Sequence, residues 1–317
     1  MSGQKPIVVV GSINTDLVAV TKRIPAIGET VIGTDFQIHP GGKGANQAVA
    51  VARLGYPVRL IGRLGRDPFG EQLRMHLQTA GVDIAGVATS AGTSGVAVIV
   101  VSREGENSIV VTPGANSKVT PQDLALNIEI IRQAGIVLAQ LEIPLETVEY
   151  LASICAREGV PLILDPAPAR DLPPGIFKRI AWFTPNQTEA VFFAGPEMNG
   201  ADLRDSATIA RLILDKGCSG VALKLGAHGV YLASQQGLAE SVAAFPVKVI
   251  DTTAAGDAFN GGFATGLMLG KTPVESALFA AAAAGISVTR PGAQPSMPDR
   301  AEVEAFLEDV SARSTFR

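Results

Sequence analysis

The sequence predicts an α/β protein: a three-layer α-β-α sandwich with a mostly parallel central sheet, plus a small separate β-sheet. Three observations carry this. Short β-branched runs alternate with helical patterns of roughly 12 to 16 residues, the sequence form of βαβ units. Those runs are apolar almost throughout, not at every second position, as strands covered on both faces must be. Two stretches, Asp16–His39 and Gly95–Thr112, break the alternation with extended, turn-rich sequence.

Taken in order, Ile7–Val10 is the first candidate strand. Asp16–His39 follows, with Pro25, Gly28 and Gly33 and no helical period. Helical patterns over Gly44–Leu54 and Phe69–Thr79 run up to Gly55 and Gly81, glycines placed where a C-terminal cap favours them. Val58–Ile61 is the strand between them. Gly95–Ser102 and Ser108–Thr112 are β-rich and joined by Arg103-Glu104-Gly105-Glu106, a polar link with one glycine that reads as a hairpin. Helices over Pro121–Ala134, Leu145–Arg157 and Ala201–Lys216 then alternate with strands Ile136–Ala139, Pro161–Leu164, Ala181–Thr184 and Val221–Lys224. The C-terminal part reads as helical over Asp257–Leu269, Pro273–Thr289 and Arg300–Val310. The whole, 1–317, reads as a single domain in which about 14–40 and 94–113 form a lid, an ornamental edge hairpin being the alternative on pattern alone.

The hydrophobic fraction of 47% against 18% charged residues is that of a packed globular chain. A net charge of −4 without long like-charge blocks gives nucleic acid no footing. The longest apolar run, Leu278 to Val288, is mostly alanine and well short of the ~18 residues that span a bilayer. Cys155 and Cys218 stand far apart without metal-ligand spacing and read as buried free thiols in a reducing compartment. A cytoplasmic protein is expected. His39 and His76 lack partners at zinc spacing, and no Gly-x-Ser-x-Gly or Ser/His/Asp set is present.

The most informative stretch is Asp251-Thr252-Thr253-Ala254-Ala255-Gly256-Asp257, leading into Phe259, Phe263 and Leu267 at the spacing of one helix face. A helix N-terminus carries unpaired amides and about half a positive charge, so it attracts anions. Ala254, Ala255 and Gly256 are small enough to let those amides approach a phosphate. Asp257 sets a carboxylate beside that anion, which suits a base for an attacking hydroxyl; it would also serve as a simple helix cap. An anion cradle touching a carboxylate is what phosphoryl transfer requires.

Gly41-Gly42-Lys43-Gly44-Ala45-Asn46-Gln47 is not a Walker A loop, since no Ser or Thr follows the lysine. Its glycines open a helix on which Lys43 and Asn46, three apart, face one way. With Asn14 and Asp16 they suit a polyhydroxylated ligand, whose hydroxyls each need a partner when buried. Gln140-Leu141-Glu142 follows a strand at its C-terminal end, where open α/β sheets place ligands. Asn186 and Glu189 fit either a capping box or an outer-shell Mg²⁺ carboxylate, and the two are compatible. Lys224-Leu225-Gly226-Ala227-His228-Gly229 is a strand and a glycine turn that would let a flat base lie against backbone, or an ordinary hairpin. His228 reads as a solvent-exposed turn residue, and Asp165 of Asp165-Pro166-Ala167-Pro168 as structural or supporting.

In this order, these motifs resemble the ribokinase family of carbohydrate kinases, the PfkB group, from about residue 5 to 310; Gly11-Ser12-Ile13-Asn14-Thr15-Asp16 and Gly292-Ala293-Gln294-Pro295-Ser296 also match. The resemblance implies ATP-dependent phosphorylation of a sugar's primary hydroxyl, O5 in the case of D-ribose. It implies that Asp257 is the general base and that the amides of Ala254, Ala255, Gly256 and Asp257 stabilise the transferring phosphoryl group. Asn14, Asp16, Gly42, Lys43, Asn46 and Glu142 would hold the sugar. Asn186, Lys224, Gly226, Gly229 and Gly256 would meet the nucleotide, and Glu189 would orient Mg²⁺ through water. A K⁺ ion is implied beside the cradle, at Asp251, Thr253, Ser287, Arg290, Gly292 and Ser296, several of them through carbonyls. The irregular stretches would be the family's β lid, which also forms a homodimer contact.

Two departures stand out. Ala281 occupies a position near the adenine where members often carry Asn or His, and Lys224 one where a smaller Ser or Thr is common; a lysine there would add charge to the phosphate site or simply point to solvent. Apolar lid positions Leu17, Phe36, Ile38, Val98 and Val100 also call for a covering surface. Ala97, Ile99 and Val111 would shape the pocket, so a nucleoside or keto-sugar substrate is the alternative within this chemistry. A non-catalytic sugar-binding regulator is the alternative outside it.

Overall fold

The computed structural model describes residues 3–195 and 205–315. Its strands are β1 (Ile7–Val10), β2 (Asn14–Thr21), β3 (Asp35–Gly41), β4 (Val58–Gly65), β5 (Asp83–Ser90), β6 (Gly95–Ser102), β7 (Asn107–Thr112), β8 (Ile136–Ala139), β9 (Leu162–Leu164), β10 (Trp182–Phe183), β11 (Gly220–Lys224), β12 (Val230–Ser234) and β13 (Ala239–Val242). Its helices are α1 (Lys43–Arg53), α2 (Pro68–Thr79), α3 (Pro121–Leu126), α4 (Ile128–Arg132), α5 (Leu145–Glu158), α6 (Pro174–Phe177), α7 (Gln187–Ala194), α8 (Ser206–Leu214), α9 (Ala255–Met268), α10 (Pro273–Ser287) and α11 (Arg300–Thr315).

Nine strands form one sheet in the order β13-β12-β11-β10-β9-β8-β1-β4-β5, parallel from β11 to β5 with β12 and β13 antiparallel at one edge. Strand parity explains the continuous apolar runs. Val8, Val10, Val137, Leu162 and Val221 face the layer holding Leu151 of α5, Phe193 of α7 and Ile213 of α8. Ile7, Val9, Leu138, Ile163 and Ala222 face Val49 of α1, Leu73 of α2, Phe263 of α9 and Ala280 of α10. The three layers predicted from the sequence are therefore present, and both faces of the sheet are core.

The strand order reverses between β1 and β8, where the chain leaves toward β4 on one side and β9 on the other. Loops leaving the C-terminal ends of neighbouring strands at such a point part and leave a crevice. A second sheet, in the order β3-β2-β6-β7, grows from the β1 end of that crevice. Its β6–β7 hairpin turns at Gly105, whose φ of 86° needs a residue without Cβ. Register places Asp16, His39, Ala97 and Val111 on one face and Leu17, Ile38, Val98 and Val110 on the other. On that second face Ile38, Val98 and Val110 are exposed.

Several expected bounds shift for local reasons. The single helix expected over Pro121–Ala134 is two, α3 and α4, because the Asn127 side chain donates to the Asp123 carbonyl at 2.8 Å and competes with the helix ladder. β4 runs on to Gly65, past the glycine at which Val58–Ile61 stopped: Gly62 packs so close that a Cβ there would lie 2.8 Å from the Gly11 carbonyl. The strand Ala181–Thr184 shrinks to β10, and β5, β12 and β13 were not foreseen. The helix Ala201–Lys216 is seen as α8; its first residues, 201–204, lie outside the described ones. Among the described residues no helix is long and apolar enough to cross a membrane. Cys155 and Cys218 are free and buried, and burial pushes both thiols up to about 12.

Gly42, the N-cap of α1, supplies the sharpest packing prediction. Its φ is 88°, and a Cβ would lie 2.7 Å from the Asn14 amide nitrogen. Gly42→Ala should cost about 3 kcal/mol from backbone strain and overlap together and lower the melting temperature by roughly 6 °C. Differential scanning calorimetry checks this; an unchanged melting temperature would mean that α1 starts elsewhere.

Candidate active site

The crevice at the β1–β8 reversal collects the polar residues singled out in the sequence. From the loop after β1, the Ser12 hydroxyl donates to Glu142 Oε2, and the same oxygen accepts the Lys43 amide at 3.1 Å. Glu142 thus ties the loop after β8 to the start of α1. Gly11 and Gly44 make this possible, since a Cβ on Gly44 would lie 2.7 Å from Ser12 N. Asn14 is buried at the start of β2, and its Oδ1 accepts from Asn116 Nδ2 at 2.6 Å. Asn116 also bonds both the amide and the carbonyl of Ile13, which fixes its orientation.

Asp16, on the same face of β2, has its carboxylate against Gly41, where any Cβ would overlap it. Burial, aided by Glu142 and Asp257 and opposed by Lys43, raises its carboxyl to about 6. At Lys43 burial pulls down, but Asp257, Glu142, Asp165 and Glu189 outweigh it and hold the ammonium above the ordinary lysine value. Carboxylates outnumbering the one Lys43 ammonium, at the mouth of a crevice, form a surface that favours a neutral ligand rich in hydroxyl donors.

Asp257 lies in the first turn of α9, only 5% exposed. Its Oδ2 accepts from Asn46 Nδ2 at 2.9 Å and its Oδ1 from Gln47 Nε2 at 3.1 Å. Burial raises the carboxyl to about 6, with Asp165 adding to the effect and Lys43 and the two amides opposing it. The helix cap before it, Ala254, has φ 58°, the one non-glycine residue in left-handed backbone among the described residues. The Ala255 amide donates to the Thr252 carbonyl at 3.2 Å, while those of Gly256 and Asp257 stand outside the regular ladder, in the anion-binding arrangement of a helix N-terminus. Backbone strain of this kind concentrates at functional sites.

Beside the cradle is a cavity of about 480 Å³ lined by Lys224, Gly226, Gly229, Phe245, Gly256 and Ala281 among others. Its walls are mainly apolar, as a planar base requires. Gly229 turns with φ 90° against 242–244, where a Cβ would lie 2.6 Å from the Ala244 amide. Asn186 and Glu189 form the capping box of α7, Asn186 N to Glu189 Oε2 at 2.8 Å and Glu189 N to Asn186 Oδ1 at 2.9 Å. Glu189 is nonetheless buried, with its carboxyl raised by burial and by Asp165. Asn186 pairs with Lys224 across a parallel bridge, so both reach the same end of the sheet.

On the far side of the cradle, Asp251 joins two segments. Its Oδ1 accepts from the Thr253 amide at 2.9 Å and its Oδ2 from the Gly292 amide at 2.8 Å. Burial would raise this carboxyl, but these bonds and the nearby His39 hold it low. Ser287 and Ser296 donate to the carbonyls of Ala284 and Ala293. The Arg290 guanidinium pairs with Glu302 and carries no oxygen, so the Arg290 carbonyl is the oxygen it has to offer a cation. Carbonyl, hydroxyl and carboxylate oxygens are the donor set a hard cation takes.

Sequence reasoning marked Asp165 as structural or supporting, and missed the other supports. Gln47, Asp165, Asn116 and Gln294 hold the site residues from behind. His76 Nε2 bonds Gln294 Oε1 at 2.8 Å, and Gln294 Nε2 donates to Asn46 Oδ1 at 2.9 Å. Gln47 and Gln294 stood inside the quoted motifs; His76 carried no local signal. Lys224 does not point to solvent: its Nζ lies 2.9 Å from Asp165 Oδ1.

A parallel-sheet crevice in which an anion cradle meets a buried carboxylate, with a hydroxyl-seeking surface on one side and an apolar slot on the other, defines a phosphotransferase acting on an alcohol. Comparison with known proteins agrees: the profile of the pfkB family of carbohydrate kinases matches residues 4–300. The chain belongs to the pfkB family of carbohydrate kinases. It is 42% identical over 306 residues to ribokinase of Haemophilus influenzae, covering 96% of this chain and 99% of that one. Ribokinase from Thermotoga maritima superposes with a TM-score of 0.87 at 38% identity, covering 96% and 99% of the two chains. Arabidopsis thaliana ribokinase, solved with ribose and ATP, gives a TM-score of 0.88 at 36% identity, covering 96% and 99%.

Proposed function

We propose that this protein transfers the γ-phosphoryl group of ATP to the O5 hydroxyl of D-ribose, giving ribose 5-phosphate. The observation that supports it most is the buried carboxylate of Asp257 in the first turn of α9, between the Asp16–Lys43–Glu142 surface and the 480 Å³ cavity. In this reading the sugar is held by Asn14, Asp16, Gly42, Lys43, Asn46 and Glu142. Asp257 takes the proton of the attacking hydroxyl, and its two amide donors hold it in place. The amides of Ala254, Ala255, Gly256 and Asp257 receive the charge that develops on the phosphoryl oxygens. The base would lie against Gly226, Gly229 and Ala281, with Asn186 and Lys224 nearer the phosphates.

Glu189 would hold Mg²⁺ through water; the ion would neutralise phosphate charge. A K⁺ ion would be held by Asp251, Thr253, Ser287, Gly292, Ser296 and the Arg290 carbonyl, and would add positive field beside the cradle. The four-stranded sheet would be a lid that excludes water, and the row Ile38–Leu17–Val98–Val110 on its outer face would be covered by a second copy in a homodimer.

A coupled ADP-release assay over a panel of sugars and nucleosides, with and without K⁺, tests the assignment. D-ribose should give the highest kcat/KM and K⁺ should raise the rate. A nucleoside or keto-sugar preferred at least about tenfold over ribose would replace the substrate, and absence of ADP with every acceptor would reject the kinase.

A further inference from the structure

Asp165 has no part in the roles above, yet it stands between two of them. It follows β9, is 2% exposed, and uses both carboxylate oxygens. Oδ1 accepts from Lys224 Nζ at 2.9 Å and Oδ2 from Gln47 Nε2 at 2.9 Å. The same Gln47 nitrogen donates its other hydrogen to Asp257 Oδ1 at 3.1 Å. Gln140 Nε2 donates to Gln47 Oε1 at 2.7 Å, so the amide cannot be turned around without breaking a buried bond. Lys224 in turn reaches the cradle: a Cβ on Gly256 would lie 3.4 Å from its Nζ, and it lines the nucleotide-side cavity.

Two buried carboxylates that share one amide group would repel each other unless cations flank them. Lys43 and Lys224 do so, one at each end. We propose that Asp165 is a positioning residue that couples the nucleotide phosphates to the base, holding the Lys224 ammonium at the mouth of the cradle and Gln47 against Asp257. This rests on the kinase reading. A phosphate oxygen that takes up one of the Lys224 hydrogens weakens its hold on Asp165. The carboxylate of Asp165 is then less neutralised, and its field favours proton uptake at Asp257. The base is strongest when the nucleotide is in place.

The ionisable groups that bear on Asp257 are Lys43 from α1, Asp16 from β2 and Asp165 from the loop after β9. Asp165 raises the Asp257 carboxyl, so its removal moves the acid limb of the rate profile to lower pH. Asp165→Asn should lower kcat about tenfold, leave KM for ribose within about twofold, and shift that limb down by about half a pH unit. Lys224→Met should raise KM for ATP about tenfold and lower the melting temperature, since it strands a buried carboxylate. The double variant Asp165→Asn/Lys224→Met should recover the melting temperature but neither kcat nor KM for ATP.

Activity that simply follows the melting temperature, with the acid limb unmoved, would reduce Asp165 to a structural residue and overturn the proposal. Wild-type values of kcat and KM for ATP in Lys224→Met would do the same. If the wild-type protein releases no ADP with any acceptor, the kinase reading itself falls, an outcome distinct from active wild type with unaltered variants.

Discussion

Asp257→Asn is expected to lower turnover by about 10³-fold while the sugar and the nucleotide still bind. The substitution keeps the size of a side chain that is 5% exposed in the first turn of α9 but sets one amide NH2 against that of Asn46 or Gln47, so some loss of melting temperature is expected and is measured beside turnover. It removes the one group at the cradle placed to accept the proton of an attacking alcohol. Single-turnover measurement of ADP, with thermal shifts by ribose and by a non-hydrolysable nucleotide, separates lost chemistry from lost binding. Wild-type turnover in this variant would remove Asp257 from the reaction. The pH profile carries the same information. A base works as carboxylate, and burial lifts Asp257 from 3.8 to about 6. Wild-type kcat should therefore fall about tenfold per unit below pH 6, where an ordinary carboxylate would hold its rate to about pH 4. The residual rate of Asp257→Asn should lack that limb.

Asp16→Ala should lower kcat/KM for ribose by about 10² to 10³-fold, mainly through KM. Its two oxygens lie side by side on the site face of β2, suited to a pair of adjacent hydroxyls, and a hydrogen bond to a charged group contributes about 1.5–3 kcal/mol. The discriminating comparison is ribose against 2-deoxyribose. Wild type should penalise the missing hydroxyl strongly, whereas Asp16→Ala should hardly distinguish the two sugars. A penalty that persists in the variant would place the sugar's hydroxyls elsewhere.

The parts of this molecule that could be read in advance are those written in local periodicity. Ile7–Val10, Ile136–Ala139 and the α5 and α9 patterns are uninterrupted, and their bounds shift by two residues at most. β5 escaped because Asp83, Gly86 and Ser90 dilute its apolar residues, and α3–α4 were merged because one asparagine decides the break. The glycine motifs were legible because each close approach leaves a glycine behind, as at Gly42 and Gly44. The pairings that support them were not. Asn116 and His76 are isolated polar residues whose partners lie 103 and 218 positions away, and Asp165, though readable as supporting, has its Lys224 partner 59 positions off; nothing in the neighbouring sequence marks such pairings.

The bond from Asn46 to Asp257 spans 211 residues, and that from Gln294 to Asn46 spans 248. A ribosome must therefore deliver the chain through α9 before the carboxylate meets its amide partners, and through residue 294 before Gln294 can hold Asn46. Nascent chains stalled ahead of α10 would carry a sugar surface with nothing to lock its far wall, and premature termination anywhere upstream of residue 294 should yield inert protein, however well the early strands have already paired.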